Sequence, residues 1–470
     1  MSLSKERQKQ IIKLVICVAV GIMIALIPPP EGLTTMSMLY LGTFVAYVAI
    51  MASGALPEVV ASLLVAGIAI VLKIAPFETI FSMFASSSQW LVVAGFGIAL
   101  ALLKTGLLKR IGFLILRPFP ENFRGMIIAF FTVGLVISPL IPSVTSKSAL
   151  LTPMAVPVSE SLGYKKGDQG AAALFSSMFY SSSIFGQAFL TGSLYVIIYL
   201  GYLGKEQQAA VTFTSWLSVT WVWLVLVAVL GIIAISLLYK PEHSSQLPKG
   251  FMKQKYDELG PMTRDERLTA VVVGITVVLW VTASFTGLNT TAIGLIAMSL
   301  LFFAGVLQNS ELRTGIPWET MIVMCIIVSY AGLVTTYGIN TWLCAVLGPV
   351  LSPVINNIFL LIPVICIVVY LMRFVIMSVL VTGAIVFAIL SPLTAAAGIS
   401  NIVILFIVLC AAMSWQLGFN SSCFLAAHGA TDGKIADVGH TLKANYAYVV
   451  VNIIALMASV PLWKMMDLLQ

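Results

Sequence analysis

Charge is what this chain has least of. Only 9% of its 470 residues are Asp, Glu, Lys or Arg, against about a quarter in a soluble globular domain. A chain that is 60% hydrophobic cannot clothe a water-facing surface, so lipid is expected to be the solvent for most of it. Histidine is scarce as well, with His243, His428 and His440 the whole complement. None is spaced with Asp or Glu as a metal-ligating set, and there is no phosphate-cradling loop or redox cysteine pair. Cys17, Cys325, Cys344, Cys366, Cys410 and Cys423 are scattered through apolar stretches and read as buried packing residues. These absences leave little room for an enzyme. The nearest thing to catalytic residues is Gly192-Ser193 with His428, and neither flank carries a supporting signature.

The net charge of +7 does not point to nucleic acid, because the basic residues sit in short loops and form no continuous face. They are better read as setting membrane orientation. The charged start, Lys5 to Lys9, leads into an apolar run with no small-residue cleavage site before Pro28-Pro29-Pro30. It is expected to be a retained first helix.

Apolar runs long enough to span a bilayer lie near Ile11 to Pro28, Ser37 to Ala52, Glu58 to Ile74, Gln89 to Leu107, Phe213 to Leu238, Leu268 to Phe285, Thr290 to Val306, Trp318 to Tyr337 and Ala447 to Trp463. Two further regions, 125–162 and 359–398, are apolar at both ends and polar in the middle. Non-helical backbone at membrane depth survives only where protein or a water-filled cavity covers it, so each is expected to be a re-entrant hairpin whose tip lines a site. Each is followed by an apolar stretch broken by small polar residues, 168–202 and 401–430, expected to be a broken spanning helix.

The predicted fold is therefore an all-α polytopic membrane protein of about 11 transmembrane helices plus two re-entrant hairpins. The order repeats: a Trp-led helix (Trp90; Trp318), a hairpin, a broken helix and a closing helix (Trp216, Trp221 and Trp223; Trp463). This predicts two inverted repeats, 1–238 and 268–470, joined by a solvated linker at 239–267. With the N-terminus in the cytoplasm, nearly all loop Lys and Arg fall on one side, supporting a cell (inner) membrane protein with that orientation.

Two basic residues remain deep in apolar sequence, Lys147 in the first hairpin and Arg373 in the second. A charge at membrane depth costs at least a few kcal/mol, so it usually meets a cavity, a partner or a substrate. No midplane acid is at hand, and an anionic substrate is the simplest counter-charge. Lys147 could instead be a structural cation satisfied by backbone carbonyls at the tip, and Arg373, nine residues before a tip expected at Thr382, could snorkel outward. Ser143, Thr145, Ser146, Ser148, Thr191, Ser193, Ser378, Thr382, Asn420, Ser421 and Ser422 cluster at the hairpin tips and helix breaks. There, hydroxyl donors and opened helix N-termini can hold an oxyanion. His428 could accept a proton or touch an anion, or simply line a cavity. Broken helices and paired hairpins suit an alternating-access carrier better than a continuous channel.

At the tips and broken helices the sequence resembles the divalent anion:sodium symporter family, also called the solute carrier 13 family, of the ion transporter superfamily. The likeness runs through Thr105-Gly106-Leu107-Leu108-Lys109-Arg110, Tyr180 to Ser193 and Val460-Pro461-Leu462-Trp463. In that family each tip carries a serine, asparagine, threonine motif, with a proline ten residues after the serine. The resemblance places Ser143-Val144-Thr145 (with Pro153) and Thr382-Gly383-Ala384 (with Pro392) under the motifs. It sets Gly192 where the family has a sodium-contacting glycine, which would put a sodium ion near Ser143 and Gly192. Both asparagines are missing here, removing side-chain ligands for that ion. Lys147 stands where sodium-independent exchangers of the family tend to carry a basic residue. The resemblance thus implies an elevator-type carrier of small dianions, usually a homodimer. Dicarboxylates such as succinate, malate or 2-oxoglutarate come first, moved by exchange or with protons rather than with sodium. A sodium-coupled dicarboxylate or sulfate symporter is the alternative. No cofactor is expected.

Overall fold

The computed structural model describes residues 5–243, 246–376, 378–415, 418 and 421–469. Among them, ten helices are long and apolar enough to cross a bilayer, four shorter apolar helices accompany them, and no strand is formed. The chain is an all-helical, multi-pass membrane protein.

Three helices open it: α1 (Lys5–Leu26), α2 (Thr35–Ser53) and α3 (Glu58–Val71). α2 starts on a reciprocal capping box between Thr34 and Ser37 and ends on Gly54 in the left-handed conformation, the start and stop chemistry a short tight loop requires. α4 (Ser87–Lys104) runs into the amphipathic α5 (Leu107–Leu116). The first hairpin follows as α6 (Phe123–Ile137), a turn at 138–143, α7 (Val144–Leu151) and α8 (Ala155–Ser161). The broken helix is α9 (Gln169–Ile184) and α10 (Leu194–Leu200), and α11 (Phe213–Leu238) closes the half. After a short α12 (Phe251–Asp257), the second half repeats the order with α13 (Arg264–Thr286), α14 (Thr290–Phe303), α15 (Asn309–Thr314), α16 (Trp318–Ala331), α17 (Ile339–Ile355), hairpin helices α18 (Ile358–Val375) and α19 (Val379–Ala396), broken-helix halves α20 (Asn401–Ala412) and α21 (Ser422–Ala430), and α22 (Val438–Met465).

Packing between the halves is reciprocal. α7, from the first hairpin, packs on α21, while α19, from the second, packs on α10, and the closing helices α11 and α22 lie against each other. Trp216, Trp223 and Trp463, all buried, surround Phe406 of α20 edge-on. These three tryptophans thus form one aromatic seam between α11, α20 and α22. A second apolar cluster joins α2, α3 and α16 to the start of α19.

The linker at 239–267 is mostly exposed but is tied down at several points. Glu121 accepts from Gly250 N at 2.8 Å and Met252 N at 3.3 Å, capping α12, and Leu247 N donates to Glu121 O at 2.9 Å. Glu242 accepts from Gln169 N and Gly170 N at the head of α9. His243 Nε2 lies 3.0 Å from Leu162 O. Arg110 of α5 forms a buried ion pair with Glu266 at 3.0 Å and donates to Gly260 O at 2.9 Å. Orphan helix-end groups and a desolvated charge draw these residues down, so the linker is a strap stapled across the ends of α5, α6 and α9.

Candidate functional site

Four helix N-termini meet at one cavity of about 510 Å³, lined by Ser143 and Thr145 at α7, Leu194 and Tyr195 at α10, Ser378, Val379 and Leu380 at α19, and Ser421, Ser422 and Cys423 at α21. Glu58, Phe96, Pro317, Thr320, Arg373, Ala412, Met413, Ser414 and Leu425 complete its walls. The convergence follows from the breaks: each begins a new helix inside the protein, with a serine as N-cap at 143, 193, 378 and 421. Each N-terminus brings the positive end of a helix dipole, although at α10 the first N–H groups are taken by Pro142 O and Ser193, so the anion-binding character comes chiefly from α7, α19 and α21.

Arg373 is the cation of this cavity. Its side chain does not snorkel outward. It is 1% exposed, lies among Tyr195, Tyr199 and Cys423, and donates from Nη1 to Ile376 O at 3.0 Å, across the hairpin turn. The turn comes earlier than the sequence suggested: α18 ends at Val375 and α19 begins at Val379. Thr382 therefore sits one turn inside α19, its hydroxyl bonded back to Ser378 O at 3.0 Å, and Gly383 is pressed against the Tyr199 ring. Neither lines the cavity. The tip hydroxyl is that of Ser378, which does not cap its own helix and lies within hydrogen-bonding reach of the Glu58 carboxyl.

At the first tip, Ser143 Oγ accepts from Ser146 N at 3.2 Å and donates to Ser146 Oγ at 2.8 Å. Thr145 Oγ1 lies 3.2 Å from Cys423 Sγ. Ser146 faces a smaller cavity of about 150 Å³ that shares Ser143, Phe96 and Pro317 with the main one. Val144 is buried behind them, and Ser148 pairs with Ser182 at 3.2 Å.

Lys147 lies outside the cavity lining. Fully buried, its ammonium donates to Gly192 O at 3.1 Å and Ser138 Oγ at 3.3 Å. The broken helix wraps it closely. A Cβ on Gly186 would stand 2.8 Å from Nζ, and one on Gly192 would stand 2.7 Å from Gly186 O and 2.9 Å from Ser138 O. Only glycine fits at either position. Thr191 and Ser193 belong to the same brace: Thr191 donates to Pro139 O at 2.8 Å, Leu194 N donates to Pro142 O at 2.8 Å, and Ser193 caps α10. Near Ser143 and Gly192, where the resemblance would put a sodium ion, the Gly192 carbonyl accepts from Lys147.

His428 is remote from these groups. It stacks with Phe424 at 6.0 Å, and its Nε2 lies 3.2 Å from Ala436 O. The site reading of Asn420 falls on a residue outside those described. Sequence reasoning missed Glu58, Tyr195, Thr320 and Cys423 as lining residues. Of these, only Glu58, an acid directly after Pro57 at the head of an apolar run, offered a usable signal.

Residues 8–468 match the family described as the sodium:sulfate symporter transmembrane region. The chain belongs to this family. Among curated relatives, it is 26% identical over 333 residues to dicarboxylate transporter 1 of Spinacia oleracea chloroplasts, covering 68% of this chain and 58% of that protein. It is also 25% identical over 346 residues to YflS of Bacillus subtilis, named provisionally as a malate transporter, with 72% of each covered. The chain thus spans somewhat over half the length of its chloroplast relative. Among solved structures it superposes on MtrF of Neisseria gonorrhoeae, described as one of a class of antimetabolite efflux pumps, with a TM-score of 0.60, 13% identity, and coverage of 98% of this chain and 95% of that one. At that identity the likeness concerns the fold of this family member alone.

Proposed function

We propose that the chain is a secondary transporter of small dianions, dicarboxylates of the succinate, malate and 2-oxoglutarate kind first, moved by sodium-independent exchange. One observation carries the substrate class: Arg373 and four helix N-termini, with the hydroxyls of Ser143, Thr145, Ser378, Ser421 and Ser422, surround a single cavity. A guanidinium can pair with one carboxylate in a planar fork, and the serine hydroxyls and helix N–H groups opposite can hold the other. The names of the relatives point the same way.

Sodium independence rests on Lys147. Its amine, seated on the Gly192 carbonyl beside the first tip, would when protonated supply the charge that a sodium symporter has to recruit with each cycle. Returning that charge across the bilayer on an empty carrier would be costly. That favours exchange over net uptake. The resemblance implies that the hairpins and broken helices slide as a body against the remaining helices, usually in a homodimer, in the cell (inner) membrane with the N-terminus cytoplasmic.

Succinate binding to purified protein, measured by calorimetry in sodium and in choline buffer, tests this reading. Equal affinity in both is expected. Binding that needs sodium would restore the symporter, and binding of sulfate but not succinate would move the substrate to inorganic oxyanions.

A further inference from the structure

The small cavity beside Ser143 and Ser146 adjoins the main one, sharing Phe96, Ser143 and Pro317 with it, and lies between two walls. One is the face of α4 carrying Phe96, Leu100 and Leu103; the other is the segment after α15, Thr314 and Gly315. One residue past Leu103 on the first wall is Lys104, and three before Thr314 on the second is Glu311. Their side chains meet at 2.8 Å, about a third and a quarter exposed. The hydrogen bond from Lys104 holds the Glu311 carboxyl below its ordinary range. This ion pair joins the two wall segments beside the lining residues Leu103 and Thr314.

We infer that this small cavity is a passage for the anion and that Lys104 and Glu311 form an electrostatic gate at its mouth. A dianion moving between the cavity and solvent meets Lys104 within reach and competes with Glu311 for it. Lys104 draws the substrate in, while Glu311 screens that attraction and repels the substrate. The inference rests on reading the cavity as an anion site.

A bridge that only held α4 to α15 would be weakened alike by removing either end, and an exposed pair contributes little stability, about 0–1 kcal/mol. A gate makes the two ends act in opposite directions. Lys104→Gln leaves an unopposed acid at the mouth, and Glu311→Gln leaves an unopposed cation. Charges placed along a path alter encounter more than turnover.

The test is labelled succinate exchange in proteoliposomes of uniform orientation, with substrate offered to the face bearing Lys104. Lys104→Gln is expected to raise KM about five-fold and Glu311→Gln to lower it about two- to three-fold, with Vmax little changed, Lys104→Arg near wild type, and both shifts shrinking in high salt. Shifts in the same direction, no shift, or equal shifts from the opposite face would overturn the gate. A wild-type protein that moves no dianion at all would instead sink the function on which the gate rests.

Discussion

The Lys147 ammonium lies 3.1 Å from the carbonyl oxygen of Gly192 and 3.3 Å from the hydroxyl of Ser138, so a single buried cation ties the first hairpin to the break in the helix that follows. That contact holds the first tip, with Ser143 and Thr145, against the broken helix.

Replacing Lys147 by Ala should abolish sodium-independent exchange while leaving a folded protein. The Gly192 carbonyl and Ser138 hydroxyl would lose their partner, costing on the order of 1–3 kcal/mol, a loss visible as a lowered thermal midpoint in detergent without loss of monodispersity. Exchange at the wild-type rate in this variant would remove Lys147 from the mechanism.

Ser378 and Thr382 make opposite predictions from neighbouring positions. Ser378 lines the cavity, whereas Thr382 is bonded back to its own helix. Ser378→Ala should raise the KM for succinate several-fold, by about 1 kcal/mol of lost hydrogen bonding. Thr382→Ala should leave KM within about a factor of two, because it removes only a local intrahelical bond. The reverse order would return the second tip to Thr382.

Cys423 is the cysteine that lines the cavity, next to Thr145. A small cationic thiol reagent should inhibit exchange, saturating succinate should protect against it, and Cys423→Ser should be insensitive. Inhibition that persists in Cys423→Ser would place the reactive thiol elsewhere.

The strap predicts a stability effect away from the site. Arg110→Met leaves Glu266 buried without its bidentate partner, at a cost of about 2–3 kcal/mol for charged hydrogen bonds. The thermal midpoint should fall while succinate affinity is unchanged. A fall in affinity at constant midpoint would mean that the strap reaches the site.

Every uninterrupted helix expected from hydropathy is present, because a spanning segment announces itself by composition alone. The bounds moved where polar residues ride on a helix: α22 starts at Val438, well before Ala447, since His440 and Lys443 belong to its first turns. α17 was illegible because Pro349 and Pro353 lie inside it, and proline ordinarily ends a helix. At the first tip the polar run from Ser138 to Ser148 marked the turn clearly. The second tip is nearly apolar, with Ser378 followed by Val379 and Leu380, so Thr382 drew attention away from it. Outward snorkelling stayed open for Arg373 because sequence does not show that its helix ends two residues later. The strap depends on contacts from Glu121, Glu242 and Arg110 to partners distant in sequence, which local pattern cannot register.

Exchange itself is the most direct test. Purified protein in proteoliposomes should take up labelled succinate only when unlabelled dicarboxylate is inside, at the same rate with sodium or choline outside. Uptake into empty vesicles that requires external sodium would contradict the account, because it would show that a sodium ion, and not the Lys147 ammonium, completes the site.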